Sequence, residues 1–241
     1  MKAIILAAGK SSRLYPLTKE TPKCLLELSD GLSIIEYQIL LLKELGINDI
    51  NIVTGFQASK IKEKLENKAT YFHYENYEAT NNLHTLNTIS NELNDECIIM
   101  FSDVIIAKDL FYECLKSNDD FNLIIDSNNV TEKTMRVVTK NNSITDIGSH
   151  ISVANGDANF IGIAKYSKRA IKIIKRYVDY FCRNNNYIED YYTIVLPEIA
   201  KNNQKINYTL NLNNYYWDEI DYLDDYNNVK KVFGDKRDLI I

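Results

Sequence analysis

The chain is expected to adopt an α/β fold: a Rossmann-like sheet, mixed but mainly parallel, with helices on both faces and a β-rich, elaborated second half. Three features of the sequence lead there. Short apolar runs alternate with helix-period segments as far as residue 103, the βαβ rhythm of a parallel sheet. The first run, Met1 to Ala8, is unbroken and stops at Gly9, as a strand buried on both faces does. Beyond residue 120, short β-like runs crowd together between Asn- and Gly-rich turns.

Taken in order, Met1 to Ala8 is the first strand, and Gly9 to Lys23 is a polar loop holding two of the three prolines. Ser33 to Leu45 is dense enough in apolar residues for a mostly buried helix, closed by Gly46. Asn51 to Thr54 is a second strand, Ala58 to Glu66 a second helix, and Tyr71 to Tyr74 a short third strand. His84 to Leu93 reads as helix, and Cys97 to Ser102 as a fourth strand that delivers Asp103. Phe121 to Asp126, Arg136 to Lys140, Ser143 to Ile147 and Asn159 to Ala164 are the short strands of the second half. Tyr166 to Arg183 is a long amphipathic helix and Ile188 to Lys201 another. A last strand, Tyr216 to Ile220, leads into a helix from Leu223. No linker and no repeat interrupts the chain, so one domain over residues 1–241 is the simplest organisation.

Composition excludes several classes. A hydrophobic fraction of 45% and a charged fraction of 25% are those of an ordinary globular protein. The net charge of -5 argues against nucleic acid or an anionic membrane as the main partner. A small polyanion remains compatible, because a local cationic loop matters more to it than total charge. The four cysteines (Cys24, Cys97, Cys114, Cys182) lie far apart with no CxxC pair, which suggests reduced thiols. Ala3 to Ala8 is too short for a secretory signal, and no apolar run reaches the ~20 residues of a membrane span. A cytoplasmic location is expected.

Chemistry concentrates in four segments. The first is Leu6-Ala7-Ala8-Gly9-Lys10-Ser11-Ser12-Arg13-Leu14, then Pro16-Leu17-Thr18, then Pro22-Lys23-Cys24-Leu25-Leu26. A strand that runs into small residues exposes amides to phosphate oxygens, and Arg13 and Lys23 add a planar fork and a mobile point charge. A bare turn with solvated cations is the bland alternative. The second is Ile98-Ile99-Met100-Phe101-Ser102-Asp103, an apolar strand that puts a hard oxygen ligand at the sheet's carboxyl edge. On its own such an Asp is more often a turn residue. The third is Trp217-Asp218-Glu219-Ile220-Asp221-Tyr222-Leu223-Asp224-Asp225-Tyr226. Strand alternation sends Glu219 and Asp221 to one face, while Asp224 and Asp225 suit a helix start. The fourth runs from Asn76 to Asn87 and contains Asn81 and Asn82. Their amides could read a base edge, or serve as turn residues or an N-cap.

The first segment resembles the sugar-nucleotidyltransferase superfamily, whose pattern is close to LAAGxGxRLxPLT followed by PKxLL. Ser11 stands where the commoner form has a second glycine, which puts the loop's shape in question. The third segment is similar to the C-terminal region of the superfamily's choline-phosphate cytidylyltransferases. The resemblance implies a Mg2+-dependent transfer of CMP from CTP to a small phosphorylated acceptor. Residues 1–103 would then be the nucleotide-binding half, and residues 104–241 the acceptor-binding half with a C-terminal metal segment. Leu6 to Arg13 with Asn81, Asn82 and Thr85 would bind the nucleotide, and Asp103 and Asp221 would hold Mg2+, with Glu219 a weaker candidate for the second ligand. Lys23 and Arg13 would stabilise the pentavalent phosphorus and the leaving pyrophosphate. A phosphate nucleophile is already anionic, so no general base is required.

The acceptor is less legible. Arg136 and His150, with Glu189, Asp190 and Glu219, could suit the carboxylate and ammonium of a phosphorylated amino acid such as phosphoglutamine. Phosphocholine would instead ask for an aromatic cage, which seventeen tyrosines could build. A sugar-1-phosphate uridylyl- or thymidylyltransferase is the nearest rival, and a non-catalytic nucleotide-binding module a more distant one. A dinucleotide-dependent oxidoreductase is disfavoured by the missing third glycine. Oligomeric state is not fixed by the sequence.

Overall fold

The computed structural model describes residues 1–236. Strand β1 (Lys2–Ala7) buries Ala3, Ile4 and Ile5 completely, as an unbroken apolar strand must when both faces are covered. The small hairpin β2 (Glu27–Ser29) and β3 (Leu32–Ser33) leads into α1 (Ile34–Glu44). A capping box starts that helix. The Ser33 hydroxyl accepts from the Glu36 amide, and the Glu36 carboxylate accepts from the Ser33 amide. Gly46, at φ +81°, closes it in the left-handed conformation that glycine adopts freely.

Next come β4 (Asp49–Thr54), α2 (Ala58–Leu65), β5 (Thr70–His73), α3 (Asn82–Thr88) and β6 (Cys97–Phe101). Strands β6, β1, β4 and β5 lie side by side in that order, all parallel, as the βαβ rhythm predicts. The register pairs Leu6 with Phe101, so Gly9 and Asp103 leave the sheet at the same edge.

The second half contributes β7 (Val104–Ile106), α4 (Lys108–Lys116), β8 (Phe121–Asp126), β9 (Arg136–Lys140), β10 (Ser143–Gly148) and β11 (Ala158–Tyr166). After these come α5 (Lys168–Cys182), α6 (Val195–Lys201), β12 (Asn207–Leu210), β13 (Trp217–Glu219) and α7 (Leu223–Lys236). All nine residues of β11 are buried, because it lies antiparallel to β6 and also pairs with β8 and β9. Its register on β8 shifts between Phe160 and Ala164, and Gly162 sits in that shift at φ +86°. A Cβ there would come within 2.9 Å of Val104 Cγ2. The result is a mixed sheet of nine strands among the described residues. One buried apolar cluster runs through both halves and reaches α7, where Phe233 meets Tyr37 edge-on at 5.1 Å.

Several elements differ from expectation. The helix expected over Ile188 to Lys201 is confined to α6, preceded by a 3-10 turn at Tyr192–Ile194. Its first residues are committed elsewhere: the carbonyls of Ile188 and Asp190 accept from the amides of Asn81 and Leu83, and the Tyr192 amide donates to Asn82 Oδ1. Backbone groups used across the chain cannot close an i to i+4 ladder. The helix expected over His84 to Leu93 starts two residues earlier and ends in a 3-10 turn at Ser90–Glu92. Strand β12 was hidden by its polar sequence, since it lies at the edge of the sheet beside β8. The four cysteines are free thiols, three of them buried. Among the described residues no helix is long and apolar enough to cross a membrane.

Candidate active site

Asp103 follows β6 and directly precedes β7, which forms an antiparallel ribbon with β13. Glu219 lies opposite Val104, and the Ile220 amide donates to the Asp103 carbonyl at 3.0 Å. That ribbon brings Asp103, Glu219 and Asp221 together, with one carboxylate oxygen from each within 4.8 Å of the others. Ile220 between them is fully buried, as the alternation requires. Asp103 Oδ1 is buried without a hydrogen-bond partner. Burial, then Asp103 and Asp221, hold the Glu219 carboxyl well above the usual carboxylate range.

Two cations face these acids. Lys23 Nζ donates to Asp103 Oδ2 at 2.6 Å and to Asp221 Oδ1 at 3.1 Å. Burial alone would push the ammonium pKa down, but Asp103 and Asp221 outweigh it and raise it to about 12. Pro22 and the buried Cys24 fix the 3-10 turn that carries Lys23. Arg13 Nη2 donates to Asp221 Oδ1 at 2.8 Å, and its guanidinium lies 5.3 Å from the centre of the Tyr222 ring. Ser11 takes φ 53° and ψ 47°, the conformation for which glycine is the ordinary choice. A serine there costs about 1–2 kcal/mol. The Thr18 hydroxyl braces the turn by donating to the Ser11 carbonyl at 2.7 Å.

The acids and cations line one cleft together with Leu6, Ala7, Ala8, Gly9 and Ser11. Asn81, Asn82 and Thr85 line it too. Asn81 is also the N-cap of α3, its side chain accepting from the Asn82 amide and donating to the Glu189 carbonyl at 3.1 Å. Of the roles open to Asn81, the N-cap is the one its side chain fills here, with both ends of the amide engaged by protein groups. Tyr77, Thr80, Phe101 and Tyr191 line the cleft as well. Tyr77 and Thr80 fall inside the Asn-rich segment already marked. Phe101 read only as the apolar end of a strand, and Tyr191 carried no signal of its own.

Other expected residues lie elsewhere. Lys10 and Ser12 do not line the cleft, and Lys10 pairs with Glu78 at 2.6 Å. His150 is exposed and meets Asp146 at 3.0 Å. Glu189 and Asp190 approach the site through their backbones rather than their carboxylates. Arg136 is the clearest correction. It is buried, and it donates to the carbonyls of Ile151, Thr131, Thr134 and Ser149, which leaves no fork for a substrate carboxylate. A guanidinium that replaces water for four carbonyls is structural, since each carbonyl left bare costs about 1–3 kcal/mol. Arg136→Ala should therefore lower the melting temperature measured by calorimetry. A normal melting temperature with only a raised acceptor KM would return Arg136 to the site.

The carboxylates fit a hard divalent cation such as Mg2+: all donors are oxygens, one of them otherwise unpartnered, in a site with more acids than bases. Residues 2–124, just over half of the chain, match the family model described as nucleotidyl transferase. A CTP:phosphoglutamine cytidylyltransferase of Campylobacter jejuni is 29% identical, over 93% of this chain and 97% of that protein. A choline-phosphate cytidylyltransferase of Streptococcus pneumoniae is 28% identical, over 96% and 98%. The solved CTP:phosphocholine cytidylyltransferase of the same species superposes with a TM-score of 0.82 at 24% identity, covering 96% of this chain and 98% of that one. The chain belongs to the nucleotidyl transferase family and carries that family's fold.

Proposed function

We propose that this enzyme transfers CMP from CTP to a small phosphorylated, nitrogen-bearing metabolite, a phospho-amino acid such as phosphoglutamine or phosphocholine, and releases pyrophosphate. The observation that carries the reading is the meeting of Asp103, Glu219 and Asp221 with Lys23 and Arg13 in a cleft at the strand edge. End-to-end similarity to two CTP-dependent relatives supports the choice of nucleotide.

An oxygen of the acceptor phosphate attacks the α-phosphorus in line, and the bond to the β-phosphate oxygen breaks. Two anions must approach, so catalysis rests on orientation and charge neutralisation. A Mg2+ ion held by Asp103 and Asp221, with Glu219 beside them, would supply charge neutralisation at the α-phosphate. Lys23 and Arg13 turn from Asp221 to the phosphates and neutralise the developing charge and the departing pyrophosphate. Beside Asp103 and Asp221 the Lys23 pKa is raised to about 12, so the side chain meets the nucleotide as an ammonium. Amides of Ala8, Gly9 and Ser11 hold the triphosphate, and Asn81, Asn82 and Thr85 face the base and ribose. Tyr191 offers an ammonium group an aromatic ring in the cleft.

A pyrophosphate-release screen tests the proposal by crossing four NTPs with phosphocholine, phosphoethanolamine, phosphoglutamine and sugar 1-phosphates. CTP with a phosphorylated amine should give the highest kcat/KM. A clear preference for UTP or dTTP with a sugar phosphate would replace this reading with the uridylyl- or thymidylyltransferase one. No turnover with any pair would favour a binding module.

A further inference from the structure

Lys133 lies outside the cleft yet touches the segment that carries two of its acids. Its Nζ donates to Asp218 Oδ1 at 2.8 Å and pairs with Asp225 Oδ1 at 2.9 Å. Each of those carboxylates also holds the amide of a cleft acid. Asp218 Oδ1 accepts from the Glu219 amide at 2.9 Å. Asp225 Oδ2 accepts from the Asp221 amide at 3.0 Å and from the Tyr222 amide at 2.7 Å. One ammonium thus fixes two carboxylates that together set the backbone of Glu219, Asp221 and Tyr222, and the Tyr222 ring lies beneath Arg13.

The lysine is itself held firmly. It sits between Thr131 and Thr134, whose carbonyls both accept from Arg136 Nη1 at 3.0 and 2.9 Å. The Asn159 side chain takes the Thr131 amide and the Thr134 hydroxyl. Charge points the same way. Residues 218–225 contain five acids, and among the described residues their ion pairs are with Arg13, Lys23 and Lys133. Arg13 and Lys23 are the cations that a triphosphate would draw away. Lys133 does not line the cleft and would remain.

We propose that Lys133 is a positioning residue that aims Glu219 and Asp221 into the cleft through Asp218 and Asp225. The proposal rests on the reading of these acids as ligands of a divalent cation. Residues that orient metal ligands from outside typically change metal affinity or activity about 10- to 100-fold when lost.

The test is Mn2+ binding, followed by the electron paramagnetic resonance of the free ion, on wild type, Asp221→Asn, Lys133→Met and Lys133→Arg. Half-saturating Mg2+ in the pyrophosphate-release assay is measured alongside. Lys133→Met should weaken Mn2+ binding and raise the Mg2+ midpoint about tenfold, while Lys133→Arg should restore most of the loss. Wild-type binding in folded Lys133→Met overturns the proposal. If Lys133→Met does not fold, Asp225→Asn decides on the same readouts, a weakened midpoint supporting the proposal and an unchanged one overturning it. Binding in wild type that Asp221→Asn leaves intact would instead defeat the underlying reading of the carboxylates, so the two failures are distinguishable.

Discussion

Asp221→Asn should lower kcat/KM for CMP transfer by about three orders of magnitude, or ~4 kcal/mol of transition-state stabilisation. Asp103→Asn should do the same. Both carboxylates stand opposite the cationic loop, and the substitutions keep shape while removing charge. Stability should depend on pH as well. Three acids crowd one another, and the Glu219 carboxyl is held well above its ordinary value by burial and by Asp103 and Asp221. The folded protein therefore keeps a proton that the unfolded chain has released. Stability must fall as pH rises from the ordinary glutamate value through the raised one. Asp221→Asn or Glu219→Gln should flatten that fall, and so should added Mg2+. Calorimetric melting from pH 4 to 8, with and without Mg2+, reads the effect. A steeper loss in Glu219→Gln would contradict the crowding argument.

Lys23→Met should be the second most damaging change, and it should damage both properties. The Nζ is the buried cation between Asp103 and Asp221, and truncating one partner of a buried pair typically costs about 3–5 kcal/mol. Turnover should fall about 100- to 1,000-fold, as for the loss of one group preorganised on transition-state charge. The two effects separate on adding Mg2+, which finds a more negative site in the variant. Its stabilising shift in melting temperature should exceed that of wild type, whereas kcat should stay low. Recovery of kcat by Mg2+ alone would reduce Lys23 to a counter-ion. Wild-type turnover by Lys23→Met would remove it from the chemistry.

Much of the architecture is written locally. The strand of Met1 to Ala8, its glycine loop and the run ending at Asp103 are legible because a buried parallel strand needs unbroken apolar residues, whatever packs on it. The loop motif is legible for a similar reason: Arg13 and Lys23 are held by short turns whose residues adjoin them in sequence. Elements that depend on remote partners were not legible. Residues 188–192 give their backbone to α3 instead of a helix, and β7 is a strand only because β13 lies beside it. Arg136 was misassigned because nothing near it in sequence says that Ser149 and Ile151 fold back to take its donors.

From its residues alone this chain declares a parallel sheet edge, a cationic loop and a set of acids at the other end of the sequence. What tertiary structure decided is that these become one site. Lys23 and Asp221 are 198 positions apart, and they meet because the ribbon of β7 and β13 closes on the edge where β1 and β6 both end. Local pattern reports which faces are apolar and where charges lie. Which distant charges face each other depends on strand pairing and loop return, whose free energy is shared over the whole core.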